Sequence, residues 1–146
     1  MIRRDKRLEP LNELAANAER SQAMHMVEAE RRLAEAEKRL EDLVRYRLEY
    51  EQSFMARASS GAEVQRLREH QVFIARLGEA ARAQNQVIMQ LRAECDAARL
   101  HWREAATHKK VVGKVMERAR AEERVESDRR AQGETDERAS RPRVPQ

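Results

Sequence analysis

Four histidines, one cysteine and a Gly-Lys pair are the residues whose types could carry catalysis or hold a metal. His25, His70, His101 and His108 have none of the HExxH or Cys/His spacings that aim several ligands at one ion. His101 and His108 are seven apart and share a helix face, but no carboxylate or third ligand completes a set there. Gly113-Lys114 has the form of the end of a phosphate loop, yet GxxxxGK(S/T) is absent and no strand pattern precedes it. A helical glycine that admits close approach of a partner is the expectation instead. Cys95 falls on an apolar heptad position, the place of a buried, inert thiol. No catalytic residue, metal ligand or cofactor is expected, and the chain is read as a non-enzyme.

Binding chemistry is better represented. Phe73, Leu77, Ala80 and Gln84 follow i, i+4, i+7, i+11 spacing, a stripe on one helix face. That stripe either widens the hydrophobic interface of the element carrying it or offers a partner a helix surface. Tyr46 flanks an apolar series and Tyr50 sits in it, with Arg47 between them. Trp102 lies on a heptad position, where packing is the plain role and anchoring the sharper one. Lys109, Lys110, Lys114 and Arg118 form a basic run. It can complement a helix dipole or steer toward an acidic partner with salt-sensitive strength.

These residues must be positioned by helices. Ala, Glu, Lys, Arg and Leu make up 85 of 146 residues, and only 4 Gly and 3 Pro are present. That composition marks coiled coils and long helices and excludes sandwiches and doubly wound sheets. A first helix is expected over 11–57, after a short extension 1–10, with Pro10 at its first turn. Its apolar series is Met26, Ala29, Leu33, Ala36, Leu40, Leu43, Tyr50 and Phe54, with Arg47 the one charge. Upstream, Leu11, Ala15 and Ala18 join that phase only through a stutter near Gln22. A turn is expected over 58–61, where Ser60 and Glu63 have capping-box spacing.

The second helix is expected over 62–126. Its seam runs Leu67, His70, Ile74, Leu77, Ala81, Gln84, Ile88, Leu91, Cys95, Ala98, Trp102, Ala105, Lys109, Val112, Met116 and Ala119 without a phase shift. A sustained 3.5 period of this kind is a coiled-coil pattern. Residues 127–146, rich in charge with Gly133, Pro142 and Pro145, are expected to be a disordered tail. The fold class is therefore all-α, an antiparallel two-helix coiled coil. At 1.5 Å per residue the arms would span roughly 70 Å and roughly 95 Å. Leu11 would then face about His108, leaving Val112, Met116 and Ala119 covered only by Ile2 and Leu8. An apolar seam without an internal partner predicts a docking end, assigned to Leu11, Lys109, Val112 and Met116.

Three patches carry a family resemblance. Tyr46, Glu49 and Tyr50 give Y-x-x-E-Y late in the first helix. Gln71, Phe73, Ile74 and Leu77 give Q-x-F-I-x-x-L past the turn, and Trp102-Arg103-Glu104 follows ahead of the basic stretch. In order and spacing the chain resembles FliJ, the coiled-coil component of the bacterial flagellar type III export apparatus. The resemblance implies a hairpin similar to the coiled coil of the F1-ATPase γ subunit. It further implies a non-catalytic cytoplasmic factor, peripherally associated with the inner membrane at the export apparatus. Its partners would be the FliI export ATPase ring, the cytoplasmic domain of the export gate protein FlhA, and flagellar export chaperones. Phe73, Leu77 and Ala80 become candidates for the gate contact; Gln84 continues the stripe but stands where the family leads one to look for histidine.

Other classes make different expectations. A nucleic-acid-binding hairpin would gather its basic residues, whereas here acids interleave and the net charge is only +4. A self-associating scaffold would close the exposed seam on a second copy; the export reading expects a monomer when free. A stalk of a virulence-type secretion system would work in the same way as the flagellar one. No apolar stretch is long enough to insert in a membrane, the N-terminus lacks a signal-peptide h-region, and one cysteine suits a reducing compartment.

Overall fold

The computed structural model describes residues 3–142, and these contain two long helices packed against each other and no strand. Helix α1 spans Arg4–Ser59 and helix α2 spans Val64–Ser140. Contacts divide the chain into a terminal unit, Met1–Gln22 with Trp102–Gln146, and a turn unit, Ala23–His101. Each helix contributes to both.

In the turn unit, α1 ends on a left-handed glycine. Gly61 has φ 79°, and the Ala62 N–H donates to the Arg57 carbonyl at 3.1 Å. This is the long bond of a Schellman cap, which satisfies a carbonyl left free by the end of the helix. The capping box expected at Ser60 and Glu63 does not form. Helix α2 starts later, at Val64, so Glu63 takes the capping position and its carbonyl accepts the first bond, from Leu67 N–H. The Ser60 hydroxyl instead donates back to the Arg57 carbonyl. Beyond the turn the core consists of Ala36, Ile88 and Leu91, with Leu33 and Leu40 packed against it.

The expected seam of α2 is where the structure buries the helix: of its sixteen positions only Lys109 is exposed. Two of the three non-apolar positions in that series lie in the turn unit, and each ties the helices together. Gln84 donates to the Ala36 carbonyl at 3.0 Å, and His70 Nε2 lies 2.7 Å from the Tyr50 carbonyl. A carbonyl only accepts, so His70 carries its proton on Nε2. Both bonds join positions fourteen apart on each helix, so they fix one register twice.

The terminal unit corrects several expectations. Helix α1 begins at Arg4 rather than Leu11, and Pro10 lies inside the helix. The earlier start has a visible cause: Glu123 Oε1 accepts from the Arg4 N–H at 2.7 Å. A carboxylate of the opposite helix thus satisfies one of the free N–H groups of the first turn and meets the positive end of the helix dipole. The stutter near Gln22 is absent. Asp5, Leu8, Asn12, Ala15, Glu19, Gln22 and Met26 are all buried or half-buried, in unbroken steps of three and four. Leu11 and Ala18 point out to solvent; polar residues on the seam had hidden its phase.

Because α1 starts early, the expected apolar overhang does not exist. Met116 is 5% exposed, Ala119 2%, and Ala15 3%. Leu8 is half-buried in the expected covering role, while Ile2 lies outside the described residues. Nor does the helix end near Glu126, since α2 continues to Ser140. Its last turns are supported by an Arg130–Glu126 pair at 2.7 Å and by Thr135 and Ser140 hydroxyls bonded to carbonyls one turn back. Residues 124–142 are exposed throughout; 143–146, the rest of the expected tail, lie outside the described residues.

Candidate interaction surfaces

No described residues form a metal-type cluster, and no described helix is long and apolar enough to cross a membrane. Chemistry is concentrated on two surfaces, one in each unit.

The turn-unit surface is aromatic. Phe73 packs on Tyr50 with ring centroids 4.6 Å apart, and Tyr50 meets the His70 ring at 5.3 Å. Phe54 also stacks on His70, with ring centroids 6.0 Å apart. The inner half of the cluster is thereby held in place, while Phe73 stays 42% exposed. Leu77 and Ala80 continue from Phe73 along the helix and are half-buried. Gln84 does not continue the stripe as a free side chain, because its amide is engaged with Ala36. Arg47, the one charge in the α1 series, lies across Gly78: a Cβ there would sit 3.3 Å from its guanidinium. Its Nε holds Glu51 at 3.1 Å. The absent side chain of Gly78 is what lets a charge occupy this position. Tyr46 is exposed under the Arg45 guanidinium, 5.5 Å from the ring, and Arg45 also lies 4.0 Å from Glu49. Gln71 is exposed and Ile74 is half-buried in the seam.

The terminal-unit surface is basic. Arg103, Lys110, Lys114 and Arg118 are exposed, at spacings of seven, four and four. Those spacings place them in one stripe about half a turn round α2 from Val112, Met116 and Ala119. Ion pairs of this unit use Arg3, Arg4, Lys109 and Arg130, leaving the stripe without a carboxylate partner among the described residues. Lys109, exposed as well, reaches across to α1, its Nζ 3.9 Å from Glu19. Glu19 also accepts from the Trp102 indole N–H at 2.9 Å, so Trp102 has a structural role in the unit. Of the residues expected at a docking end, Leu11 and Lys109 are exposed, Leu11 at 53%. Val112 is half-buried, and nothing lies within 4 Å of a Cβ built on Gly113, so that glycine is not needed for packing within the hairpin.

Two carboxyls are perturbed. On Asp5, partial burial is the largest influence and raises the group. The neighbouring Glu123 carboxyl, the hydrogen bond from the Lys6 N–H and the charges of Arg3 and Arg120 outweigh it and hold Asp5 below its ordinary value. Glu28 is held low chiefly by its hydrogen bond from Arg31, which is raised in turn.

The seam pairing and outward surfaces define an all-α hairpin of two helices joined by a tight turn. The chain belongs to the FliJ family: the family model described as "Flagellar FliJ protein" matches residues 4–142. Comparisons with curated proteins and with solved structures find no match. Membership makes this chain a component of flagellar protein export.

Proposed function

We propose that the protein is a non-catalytic export factor whose terminal unit docks on the FliI export ATPase ring through charge. The observation that carries this is the unpaired stripe Arg103, Lys110, Lys114 and Arg118. The terminal unit holds seventeen basic and thirteen acidic residues, the turn unit thirteen of each, so the whole excess of +4 lies in the terminal unit. An acidic ring surface would be attracted to it, with an association rate that falls as salt rises. The apolar overhang expected from sequence gives this reading no support, since Met116 and Ala119 are buried within the unit.

The turn unit contacts the cytoplasmic domain of the gate protein FlhA through Phe73, with Leu77 and Ala80 at its edge. A half-exposed aromatic held by Tyr50 is already ordered, which lowers the entropic cost of binding. The protein works in the cytoplasm, peripherally associated with the inner membrane at the export apparatus, and also meets export chaperones.

The test is a pull-down against the ATPase ring and the soluble gate domain. A Lys110→Glu/Lys114→Glu variant should lose the ring and keep the gate domain; Phe73→Ala should do the reverse while circular dichroism stays helical. Ring binding unaffected by charge reversal and by salt would overturn the docking assignment. If Phe73→Ala melts the hairpin, the aromatic belongs to the core and the gate assignment fails. Sedimentation showing a dimer at working concentration would favour a self-associating scaffold.

A further inference from the structure

We infer that Arg4–Leu14 is a strap, clasped by Glu123, that opens as its own unit and thereby uncovers the apolar seam Val112, Met116 and Ala119 of α2. Four observations meet here, all within the terminal unit. First, what the strap covers is apolar and closed: Met116 and Ala119 are buried and Val112 is half-buried. Second, what the strap supplies is mostly polar. Its own seam positions are Asp5, Leu8 and Asn12, with Ala15 the first small residue deeply buried beyond them. Covering three apolar positions with one leucine and two polar residues yields little hydrophobic stabilisation.

Third, the strap is internally weak. Pro10 lies inside the helix and has no N–H to donate to the Lys6 carbonyl, removing a backbone bond in the middle of the segment. Fourth, its end is fastened at one place. Glu123 accepts from the Arg4 N–H, Arg3 Nε lies 3.6 Å from its Oε2, and Arg4 also reaches Glu122 at 3.5 Å. Glu123 Oε2 has no hydrogen bond among the described residues, and the Arg3 guanidinium at 3.6 Å is the charge that faces it. A weak segment held at its tip by two adjacent carboxylates, of which Glu123 alone bonds the backbone, is the arrangement from which local opening is drawn. While it is closed, nothing can bind through Met116 and Ala119; when it opens, three heptad positions are free to accept an apolar helix face.

Native-state hydrogen exchange on the full chain tests this. Amides of Asp5–Leu14 should exchange at least about tenfold faster than those of Leu33–Leu43, by openings insensitive to low denaturant. Glu123→Ala removes a hydrogen bond to a charged acceptor and should speed exchange of the strap about tenfold, leaving Leu33–Leu43 unchanged. Asn12→Leu gives the strap a second large apolar contact and should slow it. The thiol introduced by Met116→Cys reads the seam directly: it should react with a maleimide faster than the native Cys95, which is 1% exposed and belongs to the turn unit. Its reaction should accelerate with Glu123→Ala. The inference is overturned if strap amides exchange no faster than Leu33–Leu43. It fails equally if Glu123→Ala leaves the strap unmoved or speeds both segments alike.

Discussion

The turn unit and the terminal unit are built on one heptad period and fill it differently. In the turn unit the seam holds Leu33, Ala36, Leu40, Ile88 and Leu91; His70 and Gln84 are each bonded to a carbonyl of the facing helix, and Arg47 lies over Gly78. In the terminal unit α1 brings Asp5, Asn12, Glu19 and Gln22 to the seam, and the facing helix answers with Trp102, Lys109 and Glu123. The first arrangement draws its stability from apolar burial and uses two polar bonds for register. The second depends on polar matching, which is specific but contributes little once desolvation is counted. One period can thus support an apolar seam and a polar one, and the net positive charge falls on the unit with the polar seam.

Several substitutions would break or sharpen that contrast. The largest effect should come from Ile88→Ala, which empties a site 3% exposed in the turn-unit core. A loss of about 2–4 kcal/mol is expected by denaturant titration. If the cost is under 1 kcal/mol, the apolar unit is not the firm one. Replacing both pins, His70→Leu with Gln84→Leu, should leave stability equal or higher by about 1–2 kcal/mol while loosening register and association state. Sedimentation should then show dimers absent from the parent; a monomer of unchanged register would mean the pins specify nothing.

Glycines give a third, smaller contrast. Gly113→Ala, with open space at its Cβ, should stabilise by about 1 kcal/mol through helix propensity. Gly61→Ala should destabilise by about 1 kcal/mol, because φ 79° suits glycine and strains alanine. Thermal melts of the two variants should therefore shift in opposite directions. Smallest is the effect of acid. Asp5 and Glu28 are depressed in the folded protein, so what they contribute is fully present above the unfolded carboxylate range and disappears as pH falls through their folded values. The melting temperature should drop slightly below about pH 4, and added salt should reduce the Glu28 part, since Arg31 and Glu28 are exposed. A melting temperature that rises with acid would contradict the assigned directions.

Much of this was legible from residue types alone. The α2 seam could be read through more than seven heptads because thirteen of its sixteen positions are apolar; Tyr50 and Phe73 stood out singly from an alanine-rich background, and their contact came only with the structure. The α1 phase before Met26 was not legible. Asn12, Glu19 and Gln22 carry no hydrophobic signal, and exposed Leu11 and Ala18 carry a misleading one. Glu19, for one, is partnered by Trp102 and Lys109 of a helix more than eighty residues away, which no local pattern encodes.

The sequence by itself determined the fold class, the α2 seam and the family, because heptad periodicity and composition are local properties that survive without knowledge of contacts. Only the tertiary structure decided where α1 begins and what it covers. That depends on one carboxylate, Glu123, reaching across to the Arg4 N–H, an interaction 119 residues apart in the chain. The same contact turned an expected open docking seam into a closed one. Hydrophobic pattern says which face seeks burial; pairing of polar groups across the helices decides which partner buries it.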